Sequence, residues 1–423
     1  MLIFSGMSPF TESGELTGSR TEYMHCLQDA PDQKAIIRQF CRYTGEIKTE
    51  LNVKQSVARA LQFASNDPNG LLYLAGAREV LAEKVKPYSL PQEQWRGIRP
   101  AALPSKAVGT IAEALVHAAR PLVITGYVGQ NRQCPDELAQ LANSIPGLRV
   151  LDTGGSDMCF PMNHRASQEF RLATHECTKD ADVILMLDCD VPWLPSVNPP
   201  PKDCRIYPGD VDPLNFLILV SFIPANGQWR ADGYTALSQL NAQLKSNNLL
   251  IQDLQHPKYK ERWDDLGKKH EARVSAISKL SNLNFEACLT AHSIGALLGR
   301  HLPSDTVYII EAVTCAQSIS DQVRPEIPGS WINAGGAGIG WSNSVALGAM
   351  LGLDTIRDSA GKNPKYVCHI VGDGSYMCSS PASAAWVAAK YKVPILTVVV
   401  NNEVVLTVYT LPVLSFVILR PFI

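Results

Sequence analysis

The sequence has no excess of charge of one sign and no paired-cysteine motif. Its 38 basic and 40 acidic residues leave a formal net charge of -2, so it lacks the basic footprint that nucleic acid or an acidic membrane surface requires. None of the eleven cysteines forms a CxxC pair, which argues against a zinc site or disulfides and favours free thiols in a reducing compartment. We therefore predict a cytoplasmic protein with neither nucleic acid nor membrane as a partner.

The two ends of the sequence lack recognisable targeting segments. The amino terminus has neither the basic start nor the long apolar core of a signal peptide, and MLIFSG predicts a β-strand followed by a glycine turn. Residues 404–419 are nearly uncharged, but with Pro412 among them they are too short and too broken for a membrane span. A chain that opens in a buried strand and closes in such a tail is expected to be incomplete at both ends. A mitochondrial location therefore stays open beside the cytoplasmic one.

A complete dinucleotide fingerprint is also missing. Gly126 and Gly129 follow a predicted strand, but the third glycine of GxGxxG and the later acidic residue are absent. This disfavours a nucleotide-binding oxidoreductase. His164 and Arg165 follow Phe160-Pro161 on a predicted loop, where they either reach a substrate or simply belong to the surface, the second reading being favoured.

The composition is that of an ordinary globular protein, 46% apolar and 18% charged, and 423 residues give room for about three domains. In the first part of the chain, residues 32–50 and 54–64 predict helices and 71–74 a strand. The middle part alternates strands and helices, which predicts a parallel sheet covered on both faces. Its predicted elements are strands at 121–125, 148–151, 182–187 and 205–207 and helices at 110–119, 136–143 and 169–173. The charged residues 255–273 predict a solvated connecting helix.

The most informative stretch is 366–402, which predicts a βαβ unit. A strand at 366–371 leads into a tight turn, Gly372-Asp373-Gly374-Ser375, and a helix precedes a second strand that ends at Asn401-Asn402. Parallel neighbouring strands bring Asp373 and Asn402 to one edge of the sheet, where open α/β sheets bind ligands. A carboxylate and an amide carbonyl suit Mg²⁺, which completes its octahedron with water and phosphate oxygens.

A dense glycine run precedes this unit. GSWINAGGAGIGW, from Gly329 to Trp341, leads into a predicted helix of small residues, and such a run lets backbone approach a ligand or another subunit closely. A flexible loop with tight helix packing is the alternative for this motif taken alone. Thr314, shortly after a strand predicted at 307–311, has a hydroxyl placed to contact phosphate.

Gly-Asp-Gly-Ser, an alanine-rich helix, a β-branched strand and Asn-Asn together resemble the diphosphate and magnesium motif of thiamine-diphosphate enzymes, in particular the acetolactate synthase and benzoylformate decarboxylase group. The resemblance implies thiamine diphosphate and Mg²⁺ as cofactors, with the metal on Asp373 and Asn402. It also implies cofactor contacts from a set of small or apolar residues: Thr314, Gly338, Ile339, Gly372, Gly374 and Ser375. Ile339 would be the apolar prop that bends the cofactor.

The resemblance further implies an α/β fold of three doubly wound parallel-sheet domains, the first and last incomplete. These would be a partial pyrimidine-binding domain at 1–100, a central domain at 105–265 that is a scaffold or, less expectedly, binds FAD or ADP, and a diphosphate-binding domain at 285–423 truncated at its end. The implied activity is that of a lyase or an acetolactate synthase-like transferase, which decarboxylates a small 2-oxo acid with or without carboligation. Self-association to a dimer or tetramer is implied because the cofactor bridges two subunits.

No residue is identified as the catalytic glutamate, because no part of the sequence corresponds to the half-domain that carries it in the family. Glu22 and Glu46 read as surface charges, and Gln28, near the position of a substrate-side Gln in acetolactate synthases, reads as a loop residue. A cofactor-binding remnant without catalysis therefore remains the alternative to an active enzyme.

Overall fold

The computed structural model describes residues 1–214, 223–281, 289–336, 338–360, 366–401 and 415–419, with only the backbone described for 354–360 and 415–419. The chain divides into two compact units, Met1–Ala101 and Ala102–Ile423. Each is α/β, as predicted. The further division of the second unit at the predicted domain boundaries stays a prediction.

The first unit is built on a small parallel sheet with the strand order β1-β3-β2. The strands are β1 (Leu2–Met7), β2 (Tyr43–Ile47) and β3 (Leu72–Ala77), and the helices are α1 (Tyr23–Leu27), α2 (Ala35–Arg38), α3 (Val53–Ser65) and α4 (Arg78–Ala82). Strand β3 is buried along its whole length, as the middle strand of a covered sheet must be. Helix α3 confirms the amphipathic helix predicted at 54–64.

The long helix predicted at 32–50 is wrong. Only the four residues of α2 are helical there, and the stretch that follows is strand β2. Tyr43 and Thr44 favour a pleated strand, and Gly45 costs a helix interior about 1 kcal/mol. Pairing with β3, in which Tyr43 lies opposite Leu72, therefore outweighs the short apolar run that suggested a helix.

The second unit contains a six-stranded parallel sheet with the order β6-β5-β4-β7-β8-β9. Its strands are β4 (Pro121–Thr125), β5 (Arg149–Asp152), β6 (Ser167–Phe170), β7 (Val183–Leu187), β8 (Arg205–Asp210) and β9 (Trp229–Arg230). Its helices are α5 (Ser105–His117), α6 (Cys134–Ser144), α7 (Gly233–Ser246), α8 (Asn248–Leu254) and α9 (Pro257–Lys279). Strands β4 and β7 are buried at every position, which confirms the predicted parallel sheet covered on both faces.

One prediction in this region is wrong, and another holds in part. The helix predicted at 169–173 is replaced by strand β6, and Glu169 and Ala173 have positive φ angles of 69° and 55° that a right-handed helix excludes. Helix α9 confirms the helix predicted at 255–273, but it is not simply solvated, because one face buries Tyr259 and Leu266 in the core of the sheet. The Tyr259 hydroxyl donates to the Val116 carbonyl at 2.8 Å, so α9 is fastened to α5.

A five-stranded sheet forms the rest of the second unit, in the order β11-β10-β12-β13-β14. Its strands are β10 (Val307–Glu311), β11 (Trp331–Asn333), β12 (Val367–Gly372), β13 (Leu396–Asn401) and β14 (Ser415–Leu419), of which only β14 is antiparallel. Its helices are α10 (Ala291–His301), α11 (Ala316–Val323), α12 (Ser342–Ala360), α13 (Asp373–Cys378) and α14 (Pro381–Lys390). Within the described ranges, no helix is both long and apolar enough to cross a membrane, and the ten described cysteines are free.

The two sheets of the second unit are joined through their backbones. Asp157 forms an antiparallel bridge with Ile332, the Met158 amide donates to the Trp331 carbonyl at 3.0 Å, and the Asn333 amide donates to the Ser156 carbonyl at 2.6 Å. The loop after β5 therefore holds strand β11 and the start of the glycine run in place.

Gly154, in this joining loop, is expected to tolerate no side chain. Its φ is +73°, and a Cβ there would overlap the Phe170 ring. Gly154→Ala should destabilise the protein by roughly 2–4 kcal/mol, since it adds left-handed strain to overpacking. Gly109→Ala is the matched control, because Gly109 lies inside α5 with open space around it and should gain about 0.5–1 kcal/mol. Urea denaturation followed by tryptophan fluorescence measures both, and equal stability of the two variants would contradict the assignment.

Candidate cofactor site

The carboxyl ends of β10, β12 and β13 meet at one edge of the five-stranded sheet. Glu311 lies opposite Val371, and Gly372 lies opposite Val400, which confirms that the two strands of the predicted βαβ unit are parallel neighbours. Asp373 follows β12 directly and is half-buried. Asn402 lies outside the described residues, so the structure shows only that β13 brings the chain to this edge at Asn401.

The tight turn predicted at Gly372–Ser375 is wrong. Gly372 is the last residue of β12, and α13 begins at once with Asp373, Gly374 and Ser375 in its first turn. Gly372 has a φ of -71°, so neither turn geometry nor a left-handed backbone requires glycine there. The first turn of a helix leaves backbone N–H groups without intrahelical partners, so these groups can donate to a ligand. In a tight turn, one such N–H group is often used by the hydrogen bond that closes the turn.

Glu311 organises the loop that faces this edge, and sequence reasoning did not identify it. Its carboxylate is buried and accepts from the Ser342 amide at 2.9 Å and from the Gly340 amide through its other oxygen. Both oxygens are therefore used to hold the start of α12 against the end of β10. The one sequence signal was a carboxylate closing the otherwise apolar strand VYIIE.

The start of α12 is also tied to α13. The Asn343 side-chain amide donates to the Tyr376 carbonyl at 3.0 Å and to the Ser379 hydroxyl at 2.6 Å. Gly340 has a φ of +91°, and a Cβ there would lie 3.0 Å from that of Ser379, so this glycine permits the close approach. The glycine run, Glu311 and the helix that starts with Asp373 consequently form one connected structure.

A cavity of about 120 Å³ opens between the end of β10 and the glycine run. Val313, Gly338 and Ile339 line it, and the side chain of Ile339 is 69% exposed. An apolar side chain exposed at a cavity favours an apolar ligand surface, because covering it removes the contact with water. The predicted Gly338 and Ile339 are thus brought to the cavity, whereas Thr314, Gly374 and Ser375 do not line it; Thr314 is exposed on the loop after β10.

Asp152 braces the joining loop behind this cavity. Its carboxylate accepts from the amides of Gly154 and Cys159, each at 2.8 Å. Complete burial raises its pKa to about 7, although the hydrogen bonds from these two amides lower it.

The stability of the protein is expected to depend on the protonation of Asp152. The folded-state pKa lies above the value of 3.8 for an exposed carboxyl, so between these values the folded state binds more protons than the unfolded state. The contribution to the unfolding free energy is present below pH about 4 and is lost as the pH rises through about 7. Asp152→Asn should remove that slope, whereas Asp136→Asn, a change in the first turn of α6, should leave it. Urea unfolding from pH 4 to 8 tests this, and an identical slope in Asp152→Asn would contradict it.

The remaining sequence candidates take part in packing or are exposed. Glu22 and Gln28 are exposed in the first unit, and Glu46 forms an ion pair with Lys34. His164 contacts Asn143 at 3.1 Å, and the Arg165 guanidinium lies 4.9 Å from the centre of the Trp263 ring. These contacts give each of the two loop residues a packing role within the second unit.

Comparison with known proteins gives consistent findings. Residues 312–413 match the family model described as the C-terminal TPP binding domain of thiamine pyrophosphate enzymes. A thiamine diphosphate-dependent 4-hydroxybenzoylformate decarboxylase from Rhodococcus jostii superposes with a TM-score of 0.67 at 18% identity, covering 88% of this chain and 66% of that one. The benzoylformate decarboxylase from Polynucleobacter necessarius gives 0.68 at 15% identity, covering 91% and 68%. An enzyme from Mycobacterium smegmatis described as thiamin diphosphate-dependent gives 0.67 at 18%, covering 94% and 72%.

The chain therefore has the α/β fold of the solved thiamine-diphosphate enzymes, and its residues 312–413 are similar to the C-terminal TPP binding domain of thiamine pyrophosphate enzymes. Within that class, the structures that it resembles include benzoylformate decarboxylases, so the predicted resemblance to the 2-oxo-acid decarboxylase group is confirmed. The chain spans about two thirds of the length of the Rhodococcus structure.

Proposed function

We propose that this protein binds thiamine diphosphate with Mg²⁺ and decarboxylates a small 2-oxo acid. The observation that carries the proposal is the joined arrangement of Asp373 at the end of β12 with the Glu311-braced loop that presents Ile339 to a cavity. The match of residues 312–413 to a thiamine-pyrophosphate-binding domain supports it independently.

The described residues fit such a cofactor. Asp373 supplies a hard carboxylate oxygen at the ligand-binding edge of a parallel sheet. Asn402, which lies outside the described residues, would supply the second protein oxygen to the metal. Ser375 and the first-turn amides of α13 would face the diphosphate, with Thr314 on the neighbouring loop.

The chain itself would bind and orient the cofactor. Glu311 fixes the amides of Gly340 and Ser342, so that Ile339 is held at the cavity without a side-chain tether of its own. Ile339 and Val313, 69% and 57% exposed, would exclude water from one side of the bound group. When bound, the cofactor supplies the stabilisation of the carbanion that loss of carbon dioxide leaves behind.

Experiments separate an active decarboxylase from a remnant without catalysis, and they also test carboligation and self-association to a dimer or tetramer. Isothermal titration with thiamine diphosphate and Mg²⁺ tests binding, and carbon dioxide release from benzoylformate and from pyruvate tests decarboxylation. Binding with release supports the full proposal, and binding without release supports the remnant. Failure to bind the cofactor overturns both. Acetolactate formation from pyruvate would identify carboligation, and sedimentation with and without cofactor measures the oligomeric state.

A further inference from the structure

A second pocket, of about 320 Å³, lies at the amino-terminal edge of the six-stranded sheet. Arg120 precedes β4, and Arg149 is the first residue of β5, so both line the pocket from the start of neighbouring strands. Helix α9 covers it. The pocket is thus at the edge opposite to the ends of β4 and β5, where Thr125 and Asp152 lie.

One face of α9 supplies much of the lining. Arg262, Leu266, Lys269 and Arg273 recur at helical spacing and all contact the pocket, because residues three and four apart share a face of a helix. The leucine anchors the helix in the core. Arg262 and Arg273 on the same face are partly buried beside the pocket, whereas Lys269 is exposed at its rim.

The pocket has more positive than negative side chains. Its five basic residues are Arg120, Arg149, Arg262, Lys269 and Arg273, and its three carboxylates are Glu176, Asp180 and Asp265. Arg149 pairs with Asp180 at 2.6 Å and Lys269 with Asp265 at 2.8 Å. Burial lowers the pKa of the remaining candidate base, His175, to about 4, so it is neutral. Glu169 pairs with Arg273 behind the lining, and with that carboxylate included the excess is one positive charge.

Two guanidinium groups in the pocket have unmet hydrogen-bonding capacity. In the part of the chain that the structure describes, Arg149 Nε and Arg262 Nη2 are buried and have no hydrogen-bond partner. Arg273 lies 3.6 Å from Glu169, whereas Arg262 has no carboxylate within ion-pair distance among the described residues. Burial lowers the pKa values of Arg262 and Arg273, as expected for cations removed from water.

We propose that this pocket is a binding site for a phosphate monoester, whose phosphate group accepts from Arg149 and Arg262. A buried donor without a partner destabilises a protein, and guanidinium forks match phosphate oxygens bidentately. The excess of positive charge favours an anion, and the pocket is larger than a phosphate group alone needs, which leaves room for an attached organic part. The opposite edge of the sheet is unsuited to an anion, because Asp152, Asp188, Asp190 and Asp210 lie there.

Calorimetric titration with inorganic phosphate and with β-glycerophosphate tests this site. The protein is first saturated with thiamine diphosphate and Mg²⁺, so that the diphosphate site is not available to the probes, and chloride keeps the ionic strength constant. We expect saturable 1:1 binding of both probes. Arg262→Gln should weaken the binding roughly tenfold or more, because a charge-assisted hydrogen bond is lost. The affinity of Arg262→Lys should lie between those of the wild type and Arg262→Gln, because lysine keeps the charge but lacks the bidentate guanidinium group.

Lys268→Gln is the matched control, because Lys268 is exposed on α9 and does not line the pocket. It should leave the affinity within about twofold, as expected for a screened surface charge. Absence of saturable binding, or equal weakening in Lys268→Gln and Arg262→Gln, would overturn the proposal. If Arg262→Gln does not fold, Lys269→Gln on the exposed rim replaces it, with a several-fold loss expected and an unchanged affinity counting against the site. A preference for inorganic phosphate over β-glycerophosphate by more than tenfold would overturn the monoester assignment.

Discussion

Asp373→Ala is expected to weaken the binding of thiamine diphosphate in the presence of Mg²⁺ by at least about 100-fold, because changes merely beside a metal ligand already cost 10–100-fold. Asp373 is half-buried at the start of α13 and at the edge where β10, β12 and β13 end. Removing its carboxylate takes away the charged oxygen that would join the metal to the protein. Isothermal titration at fixed Mg²⁺ measures the change.

Two further variants make this result specific. Asp373→Asn keeps a neutral oxygen and should be intermediate, since Mg²⁺ prefers charged hard ligands. Met377→Ala lies four residues further along α13 with a side chain that is 70% exposed, and it should bind the cofactor like the wild type. If Asp373→Ala is folded by thermal denaturation and still binds with unchanged affinity, the magnesium proposal is wrong.

Glu169→Ala is expected to destabilise the second unit by about 3–5 kcal/mol, the usual consequence of leaving buried charges unpaired. The Glu169 side chain is 1% exposed and lies 2.5 Å from Arg171 and 3.6 Å from Arg273. Arg171 continues to Asp321 in α11 at 2.7 Å. Without Glu169, two guanidinium groups remain close together with a single carboxylate, and the connection between the two sheets is weakened.

Chemical denaturation followed by tryptophan fluorescence measures this loss. Glu176→Ala is the control, because Glu176 forms an exposed pair with Lys179 at 2.9 Å, and such pairs contribute about 0–1 kcal/mol. Comparable losses in the two variants would show that the buried network contributes no more than a surface pair.

The sequence was sufficient where the signal is local. Strands β10, β12 and β13 carry continuous apolar runs next to their polar ends, so the edge that holds Asp373 was predictable from residues close together in the chain. Strands β2 and β6 were missed because pairing with β3 and β5 makes them strands. Residue propensity alone does not predict which segments pair.

The parts of the site made by distant residues were not predictable. Glu311 holds amides 29 and 31 residues further along the chain, and no spacing rule connects a strand end to such a loop. The phosphate pocket gathers arginines from the starts of β4 and β5 and from α9. Residues 372–375 have the composition of a turn, but Asp373, Gly374 and Ser375 form the first turn of α13. Asn343 at the start of α12 donates two hydrogen bonds to the end of that helix, and the sequence gives no sign of this contact.

The backbone bonds between the Ser156–Met158 segment and the Trp331–Asn333 strand have a consequence for how this protein tolerates change. The six-stranded sheet thereby supports the five-stranded sheet on which the coenzyme would rest. Substitutions that weaken coenzyme binding are therefore expected not only at residues that contact the coenzyme but also in these two joined segments. Residues that only pack there would be as sensitive to change as residues that bind the ligand.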